Sequence, residues 1–280
     1  MSRVLITGAA SGLGAALAEA FEARGDEVLR TDVVGLDTPS LVPRDDYSTN
    51  EAPSLVPRDG YSTNEGLTLD ITSDADWEAA RAHVEETWGG LDVLVNNAGV
   101  AGGGRLDVAG LDEWQWITEI NLFGAVRGTR AFVPMFKRQR SGRIVNVASL
   151  AGLVHPAGMA SYNAVKAAVV ALTETTGHEL ASYGVTAHVV CPSFFRTNLM
   201  SSIRGADSAL AETMRALVDD SPTSAADIAR EVLAGLDRGD EMILPDEAGR
   251  TAYGLKQGDR ATYDAIMRDQ ARKLHERAER

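Results

Sequence analysis

Cysteine is almost missing from this chain of 280 residues: Cys191 stands alone, so no disulfide closes within it and nothing calls for an oxidising compartment. Histidine is scarce too. The five at His83, His155, His178, His188 and His275 show no paired metal-ligand spacing, so no catalytic metal is expected. Basic residues are outnumbered, 27 Lys and Arg against 40 Asp and Glu, for a net charge of -13. Nucleic-acid binding relies on clustered Lys and Arg, so this balance excludes nucleic acid and favours a small-molecule partner. No apolar run reaches the roughly 18 residues of a membrane-spanning helix. Met1-Ser2-Arg3 leads straight into Val4-Leu5-Ile6 with no signal segment. The expectation is a soluble, cytoplasmic protein with no membrane partner.

What is present is a hydrophobic fraction of 44%, enough for one large α/β domain over residues 1–280. Val4 to Ile6 reads as a short buried strand, Thr7 to Gly14 as a turn, Leu13 to Arg24 as a helix closed by Gly25, and Glu27 to Thr31 as a second strand. The order repeats. Leu91 to Val95, Arg143 to Val147, Val185 to Val190 and Glu241 to Leu244 are further β-rich runs with helical patterns between them. Alternating strands and helices predict a doubly wound parallel sheet in three α/β/α layers, with ligands at the carboxyl ends of the strands.

Two segments stand apart. Ser40 to Pro53 (SLVPRDDYSTNEAP) is repeated almost letter for letter from Ser54 (SLVPRDGYSTNEG), and two copies are too few for a solenoid. Rich in turn formers, residues 40–66 read as an inserted surface loop, with Arg44 and Arg58 open to proteases. A neutral duplication is favoured over a lid or partner-binding loop, because lengthening a loop costs little. The charged stretch 258–280 carries Tyr263, Ile266 and Met267 at helical spacing and predicts an exposed helix capping the domain, with subunit contact as the second choice.

Three glycines, Gly8, Gly12 and Gly14, sit with Ser11 and Leu13 where a strand turns into a helix. Glycine allows the tight turn and close approach of a dinucleotide phosphate, and the helix start offers free N–H groups. Asp32 follows the second strand, where a carboxylate accepts hydrogen bonds from ribose hydroxyls and repels a 2'-phosphate. Neither Val33 nor Ser11 offers the cation a phosphorylated ribose needs, so NAD is expected rather than NADP. Asn96-Asn97-Ala98-Gly99 follows a strand and is read as supporting the cofactor and bracing the neighbouring strand. Asp70, beside Ile71, is read as reaching the adenine amino group or, with Thr72 or Ser73, as starting the next helix.

Tyr162 and Lys166 are four residues apart, on one face of a helix with Cβ atoms about 5 to 6 Å apart. An ammonium there biases the phenol towards phenolate. With Ser149, Asn121 and the segment from Cys191-Pro192 to Thr197, these motifs run in an order that resembles the short-chain dehydrogenase/reductase family in its compact single-domain form, from Val4 to about Leu199. The resemblance implies that Tyr162 is the acid/base, that Lys166 lowers its pKa and holds the ribose, and that Ser149 bonds the substrate oxygen. It further implies that Asn121 supports a water leading from Lys166, that Pro192 and Thr197 flank the nicotinamide, and that Thr197 bonds the carboxamide. Homodimer or homotetramer pairing would use the helices around Asp112 to Phe136 and Ser161 to Tyr183. One departure is Ser193, where the family has glycine.

Leu150 to Ala160 and Phe194 to about Ser221 are expected to flank the reacting carbon. Leu153, Val154, Met159, Phe194, Phe195, Leu199 and Met200 make that region apolar and suit an apolar secondary alcohol or ketone. Arg196 and Arg204 read as solvated, and His155, followed by Pro156, as a pocket-lining or surface residue. The competing function is a catalytically silent dinucleotide sensor, which has no need of a proton relay.

Overall fold

A computed structural model describes residues 1–33, 66–204 and 207–279. The duplicated segment from Ser40, with Arg44 and Arg58, therefore lies outside the described residues but for Gly66. Among the described residues seven parallel strands form one sheet: β1 (Arg3–Thr7), β2 (Glu27–Asp32), β3 (Leu67–Thr68), β4 (Val93–Asn96), β5 (Gly142–Val147), β6 (Val185–Val190) and β7 (Met242–Ile243). Their order is β3-β2-β1-β4-β5-β6-β7. The chain starts in the middle, winds to one side through β3, and returns beside β1 to wind the other way. A crevice opens where the winding reverses, outside the carboxyl ends of β1 and β4.

Strand alternation sets the layers. Val4 and Ile6 face one way, towards Leu17 and Phe21 of α1 (Gly12–Ala23) and towards Val232. Leu5 faces the other, into a cluster with Trp77, Phe132 and Phe136. Trp77 belongs to α2 (Asp74–Trp88). The next helix, α3 (Leu111–Thr118), runs through a π turn at Glu119–Phe123 into α4 (Gly124–Gln139), which carries both phenylalanines. Then come α5 (Ala151–Val154), α6 (Ala160–Leu180), α7 (Ser208–Asp219), α8 (Ala225–Arg238), which carries Val232, α9 (Glu247–Gly258) and α10 (Arg260–Ala278). The three-layer doubly wound sheet is the one the sequence predicts. No helix among the described residues is long and apolar enough to cross a membrane.

Two local expectations change. Leu91 joins no strand, because the Gln139 amide takes both its backbone groups, accepting from its N–H at 2.9 Å and donating to its carbonyl at 2.7 Å. The charged helix expected at 258–280 is present and mostly exposed, with narrower bounds and a buried stripe. It starts at Arg260, after Asp259 caps it by accepting from the Thr262 N–H, and it buries Tyr263 (5% exposed) and Leu274 while only Ile266 of the noted apolar trio points out (40% exposed).

Candidate active site

The glycine turn is built for close approach. Gly8 and Gly12 adopt φ values of +67° and +56°, which side chains resist, and a Cβ on Gly14 would lie 2.1 Å from the Gly8 carbonyl oxygen. Ser11 caps α1 in an extended conformation without a side-chain hydrogen bond. The turn is tied to its neighbours. Asp32 Oδ2 accepts from the Ala10 N–H at 3.1 Å, and Thr7 Oγ1 accepts from the N–H groups of Asn97 and Ala98 at 3.0 Å. The Asn97 side chain donates to the Thr7 carbonyl at 2.8 Å, while Asn96 donates to Asn146 at 2.8 Å and Asn146 to Thr173 at 2.9 Å. Asn96 thus braces the adjacent strand. Asn146 and Thr173 complete this buried polar chain and carried no signal in the sequence.

Asp70 is exposed, and its Oδ1 is engaged by the N–H and hydroxyl of Thr72 at 2.9 and 2.7 Å, while Ser73 caps α2. The helix-starting reading therefore holds in part, although Asp70 and Ile71 also line the crevice.

Tyr162 and Lys166 lie one turn apart on α6, both buried, at 7% and 6% exposure. The Lys166 ammonium donates to the Val147 carbonyl at 3.0 Å and sits 5.7 Å from the centre of the Tyr162 ring. Ser149 follows β5, and its Oγ accepts from the Ala151 N–H at 3.1 Å. Gly152 lets α5 press on α6, since a Cβ there would come within 2.6 Å of the Lys166 backbone. This contact brings the Ser149 segment against the Tyr162 helix.

Burial, rather than the lysine, governs both titrations. It pushes the Tyr162 phenol up to about 12, with the Ser149 hydroxyl pulling the other way. It drives the Lys166 ammonium down from 10.5 to about 8, only partly offset by Cys191. Removal from water raises the cost of both charges, and the lysine is spent on Val147.

Asn121 is held by the backbone of the neighbouring loop. It lies in the π turn, buried, with its side-chain amide clamped on the backbone of Val100: Oδ1 accepts from the N–H at 2.8 Å and Nδ2 donates to the carbonyl at 2.9 Å. Both ends of its side-chain amide are used on Val100, and Asn121 is not among the residues lining the cavity. Ser193, the departure from the family pattern, has found a partner. Its N–H and hydroxyl bond Asp246, the buried cap of α9, at 2.9 and 2.5 Å.

One cavity of about 1020 Å³ joins these parts. Gly8, Ser11, Gly12, Leu13, Asp32, Asn97, Ala98 and Gly99 line one end; Ser149, Tyr162, Lys166, Pro192 and Thr197 line it further along. Gly14 stays behind the wall, packed on Gly8. Of the expected apolar residues, Val154, Met159, Phe194, Phe195, Leu199 and Met200 line it and Leu153 does not. Arg196 and Arg204 are exposed and outside it, Arg196 bonding the Ser221 carbonyl and Arg204 lying over Trp116. His155 is a surface residue, bonded to the Gly152 carbonyl and to Lys256. Met214 and Leu217 of α7 line it within the expected flank from Phe194 to Ser221; missed from sequence were Gln270, Lys273, Leu274 and Arg277 of α10. The step from Tyr263 to Met267, extended to Gln270, Leu274 and Arg277, was the available signal. Among the described residues no group of acidic, histidine or cysteine side chains could hold a metal.

A parallel sheet that reverses beside a glycine turn, with such a cavity at the reversal, defines a nucleotide-binding oxidoreductase of the Rossmann type. The sequence profile of the family described as short chain dehydrogenase matches residues 2–208, and this protein belongs to that family. It is 35% identical over 199 residues to the CLA biosynthesis dehydrogenase/reductase of Lactiplantibacillus plantarum, covering 70% of this chain but 65%, just under two thirds, of that relative. It is 33% identical over 199 residues to the 3-oxoacyl-[acyl-carrier-protein] reductase FabG of Vibrio cholerae, covering 71% of this chain and 75% of the relative. A short chain dehydrogenase/reductase from Burkholderia phymatum, solved in complex with NAD, superposes with a TM-score of 0.77 at 27% identity, over 93% of this chain and 94% of that one.

Proposed function

We propose that this protein is an NAD-dependent oxidoreductase interconverting an apolar secondary alcohol and its ketone, with Tyr162 as the acid/base. The observation that carries this reading is the placing of Ser149, Tyr162 and Lys166 along the same largely apolar cavity as the glycine turn. The residues fit a dinucleotide: the missing Cβ of Gly14 makes room for the turn, the start of α1 has no side-chain cap, and Asp32 stands beside both. Asp32 supports NAD over NADP, because its carboxylate repels a 2'-phosphate. The relative from Vibrio cholerae is named for reduction of an oxo group, which supports the alcohol/ketone class.

Tyr162 takes the hydroxyl proton of the alcohol, or returns it in the reductive direction. Ser149 already accepts a hydrogen bond from the Ala151 N–H, which leaves its hydroxyl proton to donate to the substrate oxygen as charge develops there. Lys166 holds a cation beneath the phenol and, with Asn97, Thr197 and Pro192, borders the nicotinamide end. When bound, the dinucleotide supplies or accepts the hydride and, oxidised, adds a positive ring to the site. Asn121 keeps Val100 in the wall. We propose assembly as a homodimer or homotetramer through the helices around Asp112 to Phe136, α3 and α4, and around Ser161 to Tyr183, chiefly α6.

The test is a fluorescence titration with NADH against NADPH, followed by a panel of apolar ketones. Tighter NADH binding and oxidation of NADH by one ketone class is expected. Binding without turnover across the panel would favour the sensor reading, and no binding would remove the basis for both.

A further inference from the structure

The wall contributed by α10 is graded in chemistry. Tyr263, Met267, Gln270, Leu274 and Arg277 follow at steps of three and four residues, so they share one helix face, and all five line the cavity. From Tyr263 to Arg277 that face runs about 21 Å. Its start is anchored close to the reaction site. The Tyr263 hydroxyl donates to the Val154 carbonyl, and Lys256 of α9 donates to the Leu153 carbonyl, so both hold α5, the helix that follows Ser149. Leu274 then joins Tyr162, Met159, Leu210 and Met214 in one apolar cluster.

Beyond Leu274 the wall becomes cationic. Lys273 and Arg277 both line the cavity. The Lys273 ammonium is paired with Asp269 at 2.7 Å, whereas Arg277 has no ion pair among the described residues and donates only to the Thr213 hydroxyl at 3.3 Å. The only acids lining the cavity among the described residues are Asp32 and Asp70, both from the carboxyl ends of β2 and β3 beside the glycine turn. On a chain of net charge -13, Arg277 lines the wall without an ion pair among the described residues, next to Lys273, whose charge is shared with Asp269. The family profile ends at residue 208, before nearly all of α7 and the whole of α10.

We propose that Arg277, assisted by Lys273, binds a carboxylate at the far end of an amphipathic substrate whose apolar body lies along Leu210, Met214 and Leu274. The planar guanidinium suits a carboxylate, which it can meet with two parallel hydrogen bonds. The oxidoreductase reading is needed only for the other end of that molecule, where the carbonyl or alcohol reaches Tyr162. Arg196 and Arg204 take no part, because both lie outside the cavity.

Calorimetric titration of the full-length protein with octanoate, decanoate and dodecanoate, each against the primary alcohol of equal length, tests the anion site without turnover. The carboxylate is expected to bind about tenfold tighter than its alcohol. Arg277→Gln with Lys273→Gln should abolish that ratio, Arg277→Glu should reverse it, and Arg277→Lys should retain most of it. NADH affinity, unchanged in every variant, reports that the fold is intact. Equal binding of acid and alcohol, or a ratio that survives Arg277→Gln with Lys273→Gln, overturns the proposal. A second arm compares kcat and KM for a decyl methyl ketone and its counterpart bearing a carboxylate at the far end. The double variant should raise KM for the charged ketone alone; a fall in kcat for both ketones overturns a recognition role. If neither ketone is turned over, the oxidoreductase reading fails while the alkanoate titrations still decide the anion site.

Discussion

Replacing Lys166 by methionine separates the energetic cost of burying this lysine from its use. The ammonium is 6% exposed, and burial lowers its pKa from 10.5 to about 8. A depression of that size corresponds to about 3 kcal/mol of folding free energy withheld while the group is charged in both states. The sign follows from proton counts. Below about pH 8 the folded and unfolded chains both hold the proton, and the fold bears the whole cost. Between about 8 and 10.5 the unfolded chain binds more protons than the folded one, so stability rises with pH, and above that window the cost is gone. Lys166→Met has no such proton, and its loss of the bond to Val147 adds an offset of about 1 to 3 kcal/mol that does not vary with pH. Urea unfolding followed by tryptophan fluorescence, at constant ionic strength from neutral pH to about pH 10, measures the difference. Wild-type stability minus that of Lys166→Met should climb by up to about 3 kcal/mol over this range. Tyr162 shifts the other way, its folded pKa near 12 lying above the unfolded 10, so it lowers stability only above pH 10 and in both proteins alike. A flat difference would refute the claim that Lys166 is held as a desolvated cation.

Tyr162→Phe should keep NADH affinity and lose turnover by about two to four orders of magnitude, because it removes the titrating oxygen and little else; substantial residual activity would sink the assignment. Gly14→Ala forces a methyl group against the Gly8 carbonyl, and NADH titration should show affinity weakened more than about tenfold, a loss of roughly 1.4 kcal/mol or more. Unchanged affinity would mean that the turn does not carry the phosphates. Ser193→Gly removes a bond to the buried Asp246 carboxylate and should cost about 1 to 3 kcal/mol of stability, seen as a Tm several degrees lower. If Tm is unmoved, the Ser193 to Asp246 link is incidental to the family departure.

Local pattern was enough for most of the frame. The β-branched runs at Val4, Arg143 and Val185, the glycines at 8, 12 and 14, and the four-residue step from Tyr162 to Lys166 each encode their geometry within a few residues, because strand alternation and helical pitch are backbone properties. The order of those elements also sufficed for a doubly wound sheet. Partners distant in the chain decided the remainder. Leu91 left its strand for Gln139, Asn121 turned to Val100, Ser193 met Asp246, and Arg277 of α10 came to line the cavity. Nor could spacing reveal that Tyr162 and Lys166 are both dry. Their separation is set by one turn of helix, whereas their protonation is set by how much water the packing of α5, α9 and α10 leaves around them, and that depends on residues a hundred positions away.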